Sequence, residues 1–283
     1  MRPRSERQRD IKIPWLKEGF MQYYVPRYLK RHFHTLYLYG DAPRIALNDS
    51  TPLIVCLNHS SWWDLFVPAF VEHCLFHHDV YAVMDAEQLQ RYAIFSKMGV
   101  LGVDRTNLQG IKAFLDTVEH LFKNQPRSLW LTPQGEMVSN YQRPVHFQPG
   151  LAHIAMRLKR FHLLHMAVHY EFWTERLPEA FIHFSEPTFV DTSDATWNPQ
   201  TFLRQQETRL QGLLDSLLIA VQRRDATCFQ PLLQGASGTA PLYDAFRAFL
   251  ARRQRRPFFR EHGAIATPLW RRRKGKSTHN EEF

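Results

Sequence analysis

Apolar positions along the chain fall into two patterns, and their alternation predicts the fold. Between residues 51 and 187, short dense apolar runs alternate with stretches whose apolar residues recur every three or four positions. Pro52-Leu-Ile-Val-Cys-Leu57 is a continuous, partly β-branched run of the kind a strand covered on both faces requires. Val80–Met84, Gly99–Val103, Leu129–Leu131, Leu164–Tyr170 and Ala180–Phe184 are further strand candidates. Helices are expected over 62–76, where Pro68 should kink or restart the helix, and over 86–97, 107–124 and 150–158. Strands alternating with helices predict an α/β fold: a central, mostly parallel or mixed sheet flanked by helices.

The two ends read differently. Residues 11–39 interleave Trp15, Phe20, Tyr23, Tyr24, Tyr28, Phe33 and Tyr37 with Lys17, Arg27, Lys30 and Arg31. This pattern suits a helical segment at a membrane interface and equally a helical layer packed on the core. Beyond Pro187 come a polar loop at 191–199, an amphipathic helix over 200–224, a Gly235–Gly238 linker and a basic helix over 241–255. The expected organisation is an N-terminal helical segment (1–40), an α/β core (41–190) and a C-terminal helical extension with a basic tail (191–283). No apolar run reaches the ~18–20 residues of a membrane-spanning helix, and the N-terminus has no apolar signal-peptide region.

Charge sharpens this division. Of 283 residues, 36 are Lys or Arg and 27 Asp or Glu, a net +9. Residues 1–40 carry +6 and residues 247–276 carry +10, whereas residues 41–246 carry −5. A mildly acidic body between two basic ends disfavours a surface that coats nucleic acid. The ends fit an anionic membrane better, because Trp, Phe and Arg alternate in them. Cys56, Cys74 and Cys228 are odd in number and far apart in sequence, as in a reduced compartment.

The candidate chemistry follows the first strand, at Asn58-His59-Ser60-Ser61-Trp62-Trp63-Asp64. A His at the strand end and a carboxylate in the next helical turn can hydrogen-bond. The carboxylate then fixes the imidazole tautomer and supports the imidazolium. Ser61-x-x-Asp64 is also a helix capping box, which accounts for Asp64 without any catalysis. His73 and His77 lie one helical turn apart but have no matching third ligand, so no metal site is expected. His165 and His169 share a strand face and read as core histidines. Gly-x-Ser-x-Gly, GxxxxGK[ST] and GxGxxG patterns are absent, which disfavours serine hydrolases, nucleotide hydrolases and dinucleotide enzymes.

Asn58-His59, four residues and Asp64 after a buried strand resemble the first block of the lysophospholipid/glycerolipid acyltransferases of the 1-acylglycerol-3-phosphate acyltransferase type. Three further blocks follow in that family's order. Gly99-Val-Leu-Gly-Val-Asp-Arg105 resembles the second, with Gly102 in place of the usual aromatic residue. Leu131-Thr132-Pro133-Gln134-Gly135-Glu136 resembles the third, a Phe-Pro-Glu-Gly-like turn. Here Gln134 stands for the usual Glu, and Met137 for a customary Arg. Phe147-Gln148-Pro149-Gly150 resembles the fourth, and His165-Met-Ala-Val168 replaces its proline-bearing strand.

The resemblance covers about residues 50–170 and implies an O-acyltransferase. Acyl-CoA or acyl carrier protein would donate the acyl group to the hydroxyl of a lipid, with no metal or bound organic cofactor. His59 is then the general base and Asp64 its orienter. Arg105 would anchor the acceptor, or else pair with Asp104 on the surface. Gln134 and Gly135 would shape the acceptor pocket, and backbone N–H groups near Gly135 would stabilise the oxyanion. Asn58, Gly99, Pro133, Pro149 and Gly150 would build the blocks. The implied location is cytoplasmic and peripheral, on the inner face of a membrane. The altered third block leaves the acceptor open among lysophospholipids, other polyols, glycolipids, amine-bearing lipids and hydroxylated isoprenoids. Two other classes compete: a non-catalytic lipid-binding protein of the same fold, and a nucleic-acid-associated protein using the basic tail.

Overall fold

The structure is a computed structural model that describes residues 12–43, 45, 50–173, 175–236, 246, 249, 250, 252 and 253. In chain order the elements are α1 (Pro14–Gly19), α2 (Val25–His32), β1 (Thr35–Tyr39), β2 (Leu53–Leu57), α3 (Phe66–Val71), β3 (Asp79–Asp85), α4 (Ala86–Arg91), β4 (Val100–Val103), α5 (Leu108–Phe122), β5 (Arg127–Leu131), α6 (Gly150–Leu158), β6 (Arg160–Glu171), β7 (Glu179–Phe184), β8 (Thr188–Asp191), α7 (Pro199–Gln222) and β9 (Phe229–Gln234). Among the described residues nine strands form one sheet in the order β4-β3-β5-β2-β6-β7-β1-β9, with β8 paired to β6. The β4-β3-β5-β2-β6 half is parallel throughout. Strand β6 runs antiparallel to β7 and β8, and β1 antiparallel to β9. The sheet is therefore mixed and the fold α/β.

Strand β2 lies near the middle of the sheet and all five of its residues are buried. Its alternate side chains serve opposite layers. Ile54 and Cys56 pack with α5, α6 and the first half of α7. Leu53, Val55 and Leu57 pack with α2 and α3 on the other face. A strand covered on both sides has no polar positions, which is why its sequence is a continuous apolar run. The second half of α7 packs on β7 and β9 through Leu214, Leu217 and Val221.

The expected helices form with local adjustments. Pro68 falls in the first turn of α3, where its missing N–H is tolerated. The segment expected as one helix over 86–97 is α4 followed by a 3₁₀ turn, Ala93–Met98, that stops at Gly99. Gly99 has φ +100, and a Cβ there would lie 3.0 Å from the Val80 carbonyl oxygen. The glycine of the second block is thus a backbone requirement.

Three expectations are corrected. Residues 35–39, expected inside an N-terminal helical segment, are strand β1, parallel to β7. Leu36 and Leu38 alternate with Thr35, Tyr37 and Tyr39, a period of two that the neighbouring helical stretch obscures. The C-terminal extension is not purely helical, because β9 adds the sheet's last strand. Pro231 masks it in the sequence, and at an edge its lack of a donor is harmless. Residues 188–191, next to and partly inside the expected polar loop, form β8. Of the helix expected over 241–255, residues 246, 249, 250, 252 and 253 are described and are helical. The rest of it, the basic run beyond residue 253 and the first eleven residues lie outside the described residues.

Candidate active site

All four blocks meet at the carboxyl ends of the parallel strands, where open α/β sheets commonly bind ligands. Strand β2 delivers Asn58 and His59, and a 3₁₀ turn, Trp62–Asp64, follows at once. The His59 Nδ1 atom lies 2.9 Å from Asp64 Oδ2. The same oxygen accepts from the Ser60 N–H at 2.7 Å and the Ser61 N–H at 2.8 Å. Ser61 is also the N-cap, and the capping box is complete. The cap and the His–Asp pair are one arrangement: the cap fixes Asp64, and Asp64 fixes the ring. An ionised carboxylate only accepts, so Nδ1 carries the proton and Nε2 keeps its lone pair. The Asp64 side chain is 1% exposed and that of His59 is 23% exposed. The base is therefore reachable and its orienter is not.

Asn58 is buried and clamps strand β6. Its Oδ1 accepts from the Val168 N–H at 2.7 Å, and its Nδ2 donates to the Val168 carbonyl at 2.8 Å. Nδ2 also donates to Asn140 Oδ1 at 2.7 Å, which ties the loop after β5 to the same strand ends.

The third block departs from its expected role. Gln134 is buried and does not line the cavity; its Oε1 accepts from the His59 N–H at 2.7 Å. The loop grips His59 a second time, through the Val138 N–H to the His59 carbonyl at 2.7 Å. Gly135 has φ +78, and a Cβ there would fall 2.8 Å from Gln148 Cγ and 2.9 Å from Arg105 Nη1. Its own N–H donates to the Thr132 carbonyl at 3.1 Å, so it is engaged and does not serve as the oxyanion donor expected near this residue.

Arg105 follows β4 and is about half exposed. Its Nη1 donates to the Gly135 carbonyl at 2.8 Å, and its Nη2 is 3.9 Å from Asp85 Oδ2. It does not pair with Asp104, whose carboxylate instead accepts from Thr106 and Asn107 ahead of α5. A guanidinium tethered at one end and exposed at the other can take an anion bidentately.

A cavity of about 860 Å³ opens beside these groups. His59, Asp64, Arg105, Pro133, Gly135, Pro149 and Gly150 line it, together with Trp62, Asp85, His153 and the buried Glu72. Its walls are otherwise largely apolar and include Phe20, Val80, Val83, Phe114 and Leu151. The size falls in the range of pockets that enclose a small organic ligand. Among the described residues no cluster of three or more His, Cys, Asp or Glu could hold a metal ion. His73 and His77 meet edge to face, with ring centroids 5.8 Å apart. His165 and His169 are buried, His169 hydrogen-bonded to Glu171 at 3.0 Å. Burial holds His165 down to about 4, helped by the nearby Arg209 charge.

Sequence reasoning missed Tyr170, whose hydroxyl donates to Asp64 Oδ1 at 2.7 Å. It also missed Asn140, Asp85 and Glu72. Tyr170 lies 106 positions from Asp64, so no local spacing could reveal the contact.

Comparison with known proteins gives one family match and a distant structural likeness. Residues 39–168 match the sequence model of the family described as Acyltransferase. The matched segment holds all four blocks. No curated protein matches the chain. Among solved structures, it is similar to the crystal structure of the 1-acyl-sn-glycerophosphate (LPA) acyltransferase PlsC from Thermotoga maritima. The identity is 12% and the TM-score 0.45, over 74% of this chain and 84% of that one. So distant a likeness transfers neither substrate nor mechanism. Among the described residues no helix is long and apolar enough to cross a membrane.

Proposed function

We propose that the protein is a peripheral membrane O-acyltransferase that moves a fatty acyl group from acyl-CoA or acyl carrier protein to the hydroxyl of a lipid. The observation that carries this reading is the His59–Asp64 pair, its base facing a largely apolar cavity with a cation at the rim. His59 Nε2 removes the proton of the acceptor hydroxyl as its oxygen attacks the thioester carbon. The carbon–sulfur bond then breaks, and the imidazolium returns the proton to the leaving sulfur. Asp64 keeps the ring in the productive tautomer and stabilises the charge it gains. The apolar walls suit acyl chains, and Arg105 suits an anionic or polyhydroxyl headgroup. Gly135 and Pro133 shape the acceptor side of the pocket, beside Pro149 and Gly150. Gln134 acts one step back, holding the backbone of His59.

The membrane location rests on the cavity mouth. Trp62 is 53% exposed at the rim, and an aromatic series joins it through Tyr28 to the half-exposed Tyr24. Arg27, Lys30 and Arg31 are exposed on α2 nearby in the chain. Rings at headgroup depth beside cations would hold the mouth against an anionic leaflet, where a lipid acceptor resides.

The test is labelled acyl-CoA and acyl carrier protein offered with extracted lipids, to wild type and to His59→Ala. Acceptor-dependent thiol release by the wild type, lost in a His59→Ala protein that melts at the same temperature, is the expected result. Full activity in His59→Ala would end this mechanism.

A further inference from the structure

The Asp64 carboxylate receives four hydrogen bonds, unevenly divided. His59 Nδ1 and the N–H groups of Ser60 and Ser61 all fall on Oδ2. Oδ1 receives the Tyr170 hydroxyl, at 2.7 Å. The three donors on Oδ2 hold one end of the carboxylate and the Tyr170 hydroxyl on Oδ1 holds the other, so both ends resist rotation about the Cβ–Cγ bond. That rotation governs how well Oδ2 faces the Nδ1–H.

Tyr170 is itself firmly held. It lies near the end of β6, two residues beyond the backbone unit that Asn58 grips on both its N–H and its C=O. The β2–β6 register, Leu57 against Met166, brings that end beside His59. The Tyr170 ring packs against Phe33, centroids 5.8 Å apart. Burial, with the Asp64 charge, raises the phenol well above its ordinary value, so it stays a donor wherever the enzyme works. The residue also lies beyond the segment, 39–168, that matches the family model.

We propose that Tyr170 is a positioning residue for the acyl transfer: its hydroxyl fixes the Asp64 carboxylate plane, and through it the orientation and tautomer of the His59 ring. The inference rests on the reading of His59 as the general base. Its bland alternative is a core tyrosine whose hydroxyl merely needed an acceptor.

Tyr170→Phe keeps the ring and removes the donor. The expected result is a kcat lower by about ten- to a hundredfold, the value of a hydrogen bond to a charged group, with KM for both substrates little changed. The acid limb of the kcat/KM profile should move to higher pH, because a carboxylate relieved of one donor stabilises the imidazolium more strongly. Lys17, Glu72, Tyr81, Asp85, Tyr92, Arg105 and His153, the other titratable groups lining the cavity, are untouched by the substitution. A fluorinated tyrosine at position 170, a stronger donor of nearly the same shape, should move the limb to lower pH.

Ring-nitrogen NMR of His59 gives a readout independent of turnover. Wild type should show the Nδ1-protonated tautomer, and Tyr170→Phe a mixture. Wild-type kcat, pH profile or tautomer in Tyr170→Phe would each overturn the proposal. Should no donor and acceptor support turnover in the wild type, the acyl-transfer reading fails. The NMR spectra then still decide whether Tyr170 sets the His59 ring.

Discussion

At the scale of single residues, the site is organised around His59 from three directions. Its ring is held by Asp64, its N–H by Gln134 and its carbonyl by Val138. Gln134 is the residue whose meaning changes most. Read in line it replaces a charged acceptor-binding residue. In space its Oε1 accepts a backbone hydrogen bond, a task that a neutral amide and a carboxylate perform equally. Gln134→Glu is therefore expected to keep most of the activity. Gln134→Leu would leave a part-buried N–H unpaired, at a cost of about 1–3 kcal/mol. If that cost fell on the active geometry, turnover would drop by roughly ten- to a hundredfold. Parallel rates and melting temperatures check this; a Leu variant as active as wild type would remove Gln134 from the positioning set.

At the scale of elements, β6 does more than its sequence suggests. It pairs with β2, β7 and β8, offers Val168 to Asn58 and carries Tyr170. It also buries His165, 1% exposed, whose Nε2 has no hydrogen-bond partner among the described residues. Burial lowers His165 from an ordinary 6.5 to about 4. The unfolded chain thus binds a proton more readily than the folded one between these values. The stability contributed is complete above pH 6.5 and is lost as pH falls towards 4, a loss on the order of 3 kcal/mol. Melting curves at pH 7 and near pH 4 should show this loss, and His165→Gln should flatten it. An equal slope in both proteins would assign the loss to other groups.

Strands β1 and β9 teach a different lesson about legibility. The sequence signal for β2 is strong because both its faces are covered, which forces a continuous apolar run. The signal for β1 is a five-residue alternation next to an aromatic helix, and β9 contains a proline. Both are strands because neighbouring backbone is there to pair with them. That condition exists only in the assembled sheet.

At the scale of the whole molecule, the charge division gives the membrane reading its own test. Arg27, Lys30 and Arg31 are exposed on α2, near exposed Trp15, Tyr23 and Tyr24. Replacing the three cations by Gln should weaken binding to anionic vesicles by about a hundredfold at low salt, at up to about 1 kcal/mol each. Binding to zwitterionic vesicles should hardly change, and salt should erase the difference. Co-sedimentation measures this, and equal binding of variant and wild type to anionic vesicles would free α2 from that role.

The chain's own order determined the α/β class, the positions of the four blocks and the candidacy of His59 with Asp64. The class and the His–Asp candidacy are written in local spacing, because buried parallel strands are apolar throughout and a cap needs a carboxylate three residues on; the blocks are what the family resemblance supplies. Only the tertiary structure decided which groups surround that pair. Gln134 turns to the His59 backbone, Arg105 to the Gly135 carbonyl, Asn58 to Val168 and Tyr170 to Asp64. These contacts cross tens to more than a hundred residues. They depend on strand order and register, which no local periodicity encodes.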